Sequence, residues 1–125
     1  MGKKILVVDD EPLVVKILEK RLKKEDYEVE SCIDGKEAIL YLSQKVPDLI
    51  ILDLMMPHVD GMHVAEYLAA NERTKRIPMI VYTVFDEESE QVKSVLSGAI
   101  GGHRVYLGKQ VQAEILLEKI RSFIG

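Results

Sequence analysis

Three carboxylates follow two apolar runs of the sequence, and their positions suit the binding of a metal ion. Asp9 and Asp10 come directly after the apolar residues 5–8, and Asp53 follows the apolar residues 49–52. If the two runs are neighbouring parallel strands, which lie about 4.8 Å apart, the three carboxylates meet at one edge of a sheet. Close negative charges raise one another's pKa or require a compensating cation. The pattern therefore predicts a site for Mg²⁺, which prefers oxygen ligands.

Short apolar strands alternate with helical patterns along the whole chain. We predict strands over about 4–9, 27–32, 49–53, 79–83 and 104–107, each followed by a helix. Strand 27–32 alternates apolar and polar residues, which is typical of an edge strand. This order predicts an α/β fold of three layers, with a doubly wound parallel sheet covered by helices on both faces.

The sequence gives more detailed predictions for two of the helices. Pro12 suits the first turn of the first helix, which we expect to end near Glu25. Its predicted buried face carries Val14, Ile17, Leu18 and Leu22, which recur at helical spacing. The acidic residues 86–88 are expected to begin the fourth helix, since its N-terminus favours negative charge.

Length and composition narrow the class of protein. A chain of 125 residues can bury one core, so residues 1–125 are expected to form a single domain. The apolar runs are too short to span a membrane and the N-terminus lacks a signal-peptide pattern, which favours a cytoplasmic protein. The net charge of −4 argues against direct nucleic-acid binding. Cys32 has no partner cysteine and is expected to be a small core residue.

Two more polar residues are expected at the same edge as the carboxylates. Thr83 follows the fourth predicted strand and Lys109 follows the fifth. In open parallel sheets, ligands bind beyond the carboxyl ends of the strands, where the strand order reverses. A single aspartate after a strand is common in turns, but five polar residues at such positions indicate a functional site.

The chain resembles the receiver domain of two-component response regulators, including the chemotaxis regulators, over nearly its whole length. The motifs that carry the resemblance are residues 5–11 (ILVVDDE), residues 53–61 (DLMMPHVDG), Thr83 and residues 106–109 (YLGK). The resemblance implies a flavodoxin-like (βα)5 fold with strand order 2-1-3-4-5. It also implies one receiver domain over residues 1–125.

The resemblance implies a phosphorylation switch rather than an enzyme that acts on other substrates. A sensor histidine kinase or a phosphotransfer protein would donate a phosphoryl group to Asp53. Asp10 would bind Mg²⁺ directly and Asp9 through water, together with Asp53 and the backbone carbonyl of Met55.

Further residues are implied to detect and transmit the phosphorylation. Thr83 and Lys109 would each contact a phosphoryl oxygen, and Tyr106 would turn inward when Thr83 moves. The changed surface of the fourth helix, fifth strand and fifth helix would then control a downstream protein target or an effector domain.

The sequence departs from the family pattern at three places. Met55, Val84 and Phe85 are apolar near the acceptor, and either wall the site from water or cover the sheet edge. Gln110 stands where the family usually has proline after the lysine, so a trans peptide and a displaced Lys109 are expected. The stretch from Thr83 to Gly102 is about one helical turn longer than usual, as extra helix or as a glycine-rich loop.

A second hypothesis is a protein-interaction module on the same fold that works without phosphorylation. The three aspartates, Thr83 and Lys109 weigh against it, whereas Val84 and Gln110 weigh mildly for it. A phosphatase with an aspartyl-phosphate intermediate is disfavoured, because no second carboxylate follows Asp53 closely and the chain has no room for a cap.

Overall fold

Strands and helices alternate along the chain. The structure, a computed structural model, describes residues 2–56, 61–98 and 103–125. The elements within these ranges are β1 (Lys4–Val8), α1 (Pro12–Lys24), β2 (Glu28–Cys32), α2 (Gly35–Leu42), β3 (Leu49–Leu52), α3 (Gly61–Ala70), β4 (Met79–Thr83), α4 (Glu90–Ser97), β5 (Arg104–Gly108) and α5 (Ala113–Ile124). None of the helices in the described parts of the chain is long and apolar enough to cross a membrane.

The strands form one parallel sheet in the order β2-β1-β3-β4-β5. The predicted order 2-1-3-4-5 is therefore confirmed, and so is the edge position of β2. In the register, Val8 of β1 lies opposite both Cys32 of β2 and Leu52 of β3, while Thr83 of β4 lies opposite Gly108 of β5. The carboxyl ends of the strands therefore lie at one edge, which brings the residues that follow them together.

Helices cover both faces of the sheet, as the three-layer prediction requires. Leu6 and Val8 of β1 belong to an apolar cluster with α2, α3 and α4, whereas Ile5 and Val7 belong to a second cluster with α1 and α5. All four side chains are fully buried. Central strands of a parallel sheet are buried on both faces, which explains why these runs are continuously apolar.

The predicted buried face of α1 is wrong at one position. Ile17 is 57% exposed, and the buried residues are Val15, Leu18 and Leu22. Successive helical residues are about 100° apart, so Ile17 lies to one side of Leu18 and far from Val15 around the helix. The helix ends at Lys24 with Glu25 as its C-cap, close to the predicted end.

The predicted start of α4 is also wrong, because the helix begins after the acidic residues. Ser89 is the N-cap, and its hydroxyl accepts a hydrogen bond from the Val92 N–H at 3.2 Å. Before it, the Asp86 carboxylate accepts the Glu88 N–H at 2.7 Å in a local turn. A short polar side chain at the N-cap satisfies a free N–H directly, and this contact sets the start of the helix here.

Candidate functional site

Asp9, Asp10 and Asp53 form an acidic cluster at the carboxyl edge of the sheet. Each offers one carboxylate oxygen, and these oxygens lie within 4.8 Å of one another. Asp9 and Asp53 are buried, whereas Asp10 is partly exposed. The sheet ladder continues into both loops, because the Asp9 N–H donates to the Cys32 carbonyl at 3.1 Å and the Asp53 N–H to the Val8 carbonyl at 2.9 Å. The backbone of the strands thus holds the buried carboxylates in place.

Lys109 provides the cation of this cluster. Its Nζ lies 2.9 Å from Asp9 Oδ2, 2.9 Å from Asp53 Oδ2 and 2.6 Å from Glu11 Oε1. The Lys109–Gln110 peptide bond is trans, as expected. The lysine nevertheless reaches the acidic cluster, so the absence of proline after it does not remove its charge from the site. We refer to Asp9, Asp10, Asp53 and Lys109 as the acidic centre.

Burial and charge act in opposite directions in the acidic centre. Burial raises the pKa of Asp9, and this exceeds the lowering by the Glu11 N–H and by Lys109. Burial by itself lowers the pKa of Lys109, but its hydrogen bonds to Glu11, Asp9 and Asp53 more than offset this and raise it. The lysine is therefore held as an ammonium ion, while the raised pKa of Asp9 shows that the charge of this buried carboxylate would be stabilised by a further cation.

An open cleft of about 520 Å³ gives access to Asp53. Its lining residues come from the loops after β1, β3 and β4, and they are Asp10, Glu11, Asp53, Met55, Met56 and Val84. Met55 and Val84 are 49% and 58% exposed at its mouth. Phe85 instead packs against the apolar cluster that contains α4. Of the three apolar residues singled out in the sequence, Met55 and Val84 are therefore the two that border the site.

Gly61 brings helix α3 against the loop that carries Asp53. A Cβ atom at this position would lie 2.4 Å from the Asp53 carbonyl oxygen and 2.7 Å from the Leu54 Cα. Only glycine, which has no side chain, permits this close approach of two backbones. The glycine of the 53–61 motif therefore has a packing role beside the candidate phosphoacceptor.

A chain of contacts runs from the acidic centre to β5. The Lys109 N–H donates to the carbonyl of Thr83, which is fully buried. The Thr83 Oγ1 accepts the Phe85 N–H at 3.4 Å, and the hydroxyl of half-buried Tyr106 donates to the Phe85 carbonyl at 2.8 Å. We call Thr83, Phe85 and Tyr106 the Phe85 link. It joins the two residues for which the sequence predicted switch roles.

Arg104 is a contact residue that the sequence did not reveal. From the start of β5 its guanidinium donates to the Val95 carbonyl of α4 at 2.6 Å and to the Ala65 carbonyl of α3 at 3.2 Å. Burial lowers its pKa. A single arginine at a strand start carries no pattern that identifies such partners, since both are backbone atoms on distant helices. Arg104 fastens α4 to the neighbouring helix and strand.

Glu11 is the second residue whose role was missed. It stands directly after the acidic pair, and that position is the one signal of a role that the sequence offers. Its side chain belongs to the mouth of the cleft, where it contacts Lys109. The sequence could not predict this contact, because it depends on Lys109, which follows the distant strand β5.

Two further sequence expectations concern Cys32 and the glycine-rich stretch after α4. Cys32 is buried at the end of β2, as predicted, and burial raises the pKa of its thiol to about 12. Residues 57–60, with His58, lie outside the described residues, as do residues 99–102, so neither arrangement expected for the glycine-rich stretch can be compared with the structure.

Comparisons with known proteins agree with this geometry. The model of the response regulator receiver domain matches residues 5–121, and the chain belongs to this family. The response regulator PleD of Caulobacter vibrioides is 35% identical over 122 residues, which cover 98% of this chain and 26% of PleD. The chain spans between a quarter and about half the length of the curated relatives it matches first.

Two similar solved structures contain Mg²⁺. The response regulator TrrA of Thermotoga maritima, in complex with Mg²⁺ and beryllofluoride, is 30% identical with a TM-score of 0.82, and the match covers 98% of this chain and 99% of that one. The receiver domain of the sensor histidine kinase PA1611 of Pseudomonas aeruginosa PAO1 has a magnesium ion in its active-site cleft. It is 26% identical with a TM-score of 0.86, and the match covers 100% of this chain and 99% of that one. Receiver structures thus bind Mg²⁺ in the active site, and the acidic cluster of this chain could bind a metal.

Proposed function

We propose that Asp53 accepts a phosphoryl group from a phosphohistidine of a sensor histidine kinase or a phosphotransfer protein. An Asp53 oxygen attacks phosphorus, a P–O bond forms and the P–N bond breaks, and the electron pair stays on the imidazole nitrogen of the donor. The observation that carries the proposal is a buried carboxylate that faces an open cleft and contacts an ammonium at 2.9 Å. Phosphoryl transfer depends mainly on positioning and charge neutralisation, which this arrangement provides.

The donor set fits Mg²⁺, because it consists of carboxylate oxygens with an excess of negative charge. Asp10 would bind the ion directly and Asp9 through water, with Asp53 and the backbone carbonyl of Met55 as further ligands. When bound, the ion neutralises charge on the transferring phosphoryl group. Lys109 supplies a fixed positive charge that contacts Asp9 and Asp53.

The signal is a change on the surface formed by α4, β5 and α5. A phosphoryl group on Asp53 adds acceptor oxygens, which the Thr83 hydroxyl and Lys109 bind. Movement of Thr83 changes the Phe85 link, and Tyr106 turns inward. The outcome is a contact with a downstream protein target or an effector domain. This domain acts in the cytoplasm and catalyses only its own phosphorylation and dephosphorylation.

The test is the mass of the intact protein after incubation with Mg²⁺ and acetyl phosphate. We expect one phosphoryl adduct on the parent chain and none on Asp53→Asn, while Asp48→Asn, which changes an exposed carboxylate at the opposite edge of the sheet, behaves as the parent. A parent chain without an adduct would favour the phosphorylation-independent interaction module. Equal uptake by Asp53→Asn would show that the acceptor is another residue.

A further inference from the structure

The side chain of Glu11 does not cap its own helix but reaches a distant residue. Asp34 and Ser89 each cap their own helix by accepting a backbone N–H of its first turn. Glu11 is the N-cap residue of α1, but its side chain makes no such bond. Its carboxylate instead accepts a hydrogen bond from Lys109, which lies 98 positions later, at 2.6 Å. Meanwhile the Glu11 N–H donates to Asp9 Oδ1 at 2.9 Å, which fixes its backbone beside the acidic centre.

Lys109 donates to Glu11 and Asp53 and also forms an ion pair with Asp9, so its ammonium is already surrounded by carboxylates. An ammonium group has three N–H donors. Three carboxylates lie within hydrogen-bond distance of this one, at 2.9 Å for Asp9, 2.9 Å for Asp53 and 2.6 Å for Glu11. A phosphoryl oxygen on Asp53 that binds Lys109 therefore replaces one of these contacts.

Glu11 is the carboxylate that is free to move. Its side chain is 57% exposed, whereas those of Asp9 and Asp53 are 3% and 2% exposed. Both aspartates are also held by backbone hydrogen bonds to the neighbouring strands. Turning either aspartate carboxylate away would break the bond that its Oδ1 accepts from the Glu11 or Met55 N–H, but moving Glu11 requires only a rotation of its side chain in the cleft that it lines.

We propose that Glu11 occupies the place of the phosphoryl group on Lys109 in the resting protein and competes with it. The Glu11 carboxylate keeps the ammonium beside Asp53 and must leave when an anionic phosphoryl group arrives. Glu11 is thus a positioning residue that lowers the affinity of the site for phosphoryl groups. This inference rests on the proposed function of Asp53.

The first test is a titration with beryllofluoride, the anion found with Mg²⁺ in the TrrA structure. It is carried out at saturating Mg²⁺, and binding is followed by tyrosine fluorescence or NMR. We expect Glu11→Gln to bind it about two- to fivefold more tightly than the parent, the range that an exposed ion pair supplies. Glu11→Asp keeps the charge but is one methylene shorter, so it should also bind more tightly than the parent. Glu28→Gln removes an exposed carboxylate at the far end of β2 and should match the parent.

The second test needs neither metal nor phosphate. The NMR signal of the Lys109 Nζ in the resting protein should shift in Glu11→Gln and in Glu11→Asp, but not in Glu28→Gln. An unshifted signal would overturn the proposed contact. Circular dichroism and thermal unfolding of each variant establish that the fold is retained.

The outcomes separate this inference from the proposed function. A parent chain that binds no beryllofluoride overturns both. A parent that binds it, with unchanged or weaker binding by Glu11→Gln, overturns only the competition. Tighter binding by Glu11→Gln combined with parent-like binding by Glu11→Asp would also overturn it, because charge at the cleft mouth and not contact with Lys109 would then explain the effect.

Discussion

The acidic centre and the Phe85 link lie side by side but are held in different ways. In the acidic centre, Asp9 and Asp53 are fixed by strand backbone, and Lys109 joins them through two contacts of 2.9 Å. In the Phe85 link, each step depends on one hydrogen bond, and the bond from the Phe85 N–H to Thr83 is long, at 3.4 Å. A hydrogen bond of this length is weak and can be exchanged for another partner at little cost. The comparison fits the proposed function, in which the acidic centre is arranged before phosphorylation and the Phe85 link rearranges after it.

The largest effect is expected from Lys109→Met, which tests whether the acidic centre is held by charge. Removal of one partner from a buried ion pair costs about 3–5 kcal/mol, and we expect about 3 kcal/mol here, because Asp9 and Asp53 would keep no cation. Urea unfolding without metal measures the loss. Mg²⁺ should restore part of it, since binding to the folded state adds stability.

Lys45→Met is the matched control for Lys109→Met. Lys45 pairs with Glu30 at 3.5 Å, but both side chains are largely exposed. Such a pair contributes at most about 1 kcal/mol. If both lysine variants lost equally little stability, the acidic centre would not depend on Lys109.

A smaller effect is expected from Arg104→Met, which tests how firmly α4 is fastened beside the Phe85 link. Loss of the hydrogen bonds to the Val95 and Ala65 carbonyls should cost about 1.5 kcal/mol, at the low end for charged donors. We expect amide exchange in α4 to become about tenfold faster, while exchange in α1 stays unchanged. Arg73→Met is the control, since Arg73 makes one exposed contact to the Ser43 carbonyl. Unchanged exchange in α4 would count against this fastening.

Tyr106→Phe should have a smaller effect still. It removes one partly buried hydrogen bond to the Phe85 carbonyl, which is worth about 1 kcal/mol. Exchange should become faster around Phe85, with phosphorylation of Asp53 unchanged. Tyr82→Phe is a suitable control, because Tyr82 is a half-buried tyrosine of β4 with no hydroxyl partner among the described residues. Lost phosphorylation in Tyr106→Phe would show that the two regions are not separable.

The smallest effect concerns the mouth of the cleft, where Met55 lies two positions after Asp53 and Val84 lies between Thr83 and Phe85. Met55 and Val84 give an attacking water no hydrogen-bonding partner, which predicts slow hydrolysis of the aspartyl phosphate. Met55→Asn should speed the loss of the phosphoryl group by about threefold, measured by intact mass over time. Val84→Ala, which stays apolar, should change the rate less. Equal or slower decay in Met55→Asn would contradict this prediction.

Much of this arrangement could be predicted from the sequence, and the limits have physical causes. The continuous apolar runs and the polar residues after them indicated a parallel sheet with its site at one edge, and the three aspartates and Lys109 do meet there. Periodicity placed the helices but gave the wrong face for Ile17, since a stripe of apolar residues does not fix the rotation of a helix. The Glu11 and Arg104 contacts depend on side chains meeting distant backbone or charge, which local patterns do not encode.

The contact between Glu11 and Lys109 has a consequence for the order of events during synthesis. It joins the first and last βα loops across 98 positions of the chain. A ribosome that adds roughly 5 to 20 residues per second needs roughly 5 to 20 s between these two residues. Throughout that interval a nascent chain carries the carboxylates of the first loop without the ammonium that neutralises them. The contact between Glu11 and Lys109 can therefore form only after β5 has been synthesised, and it can serve as a marker of late folding on the ribosome.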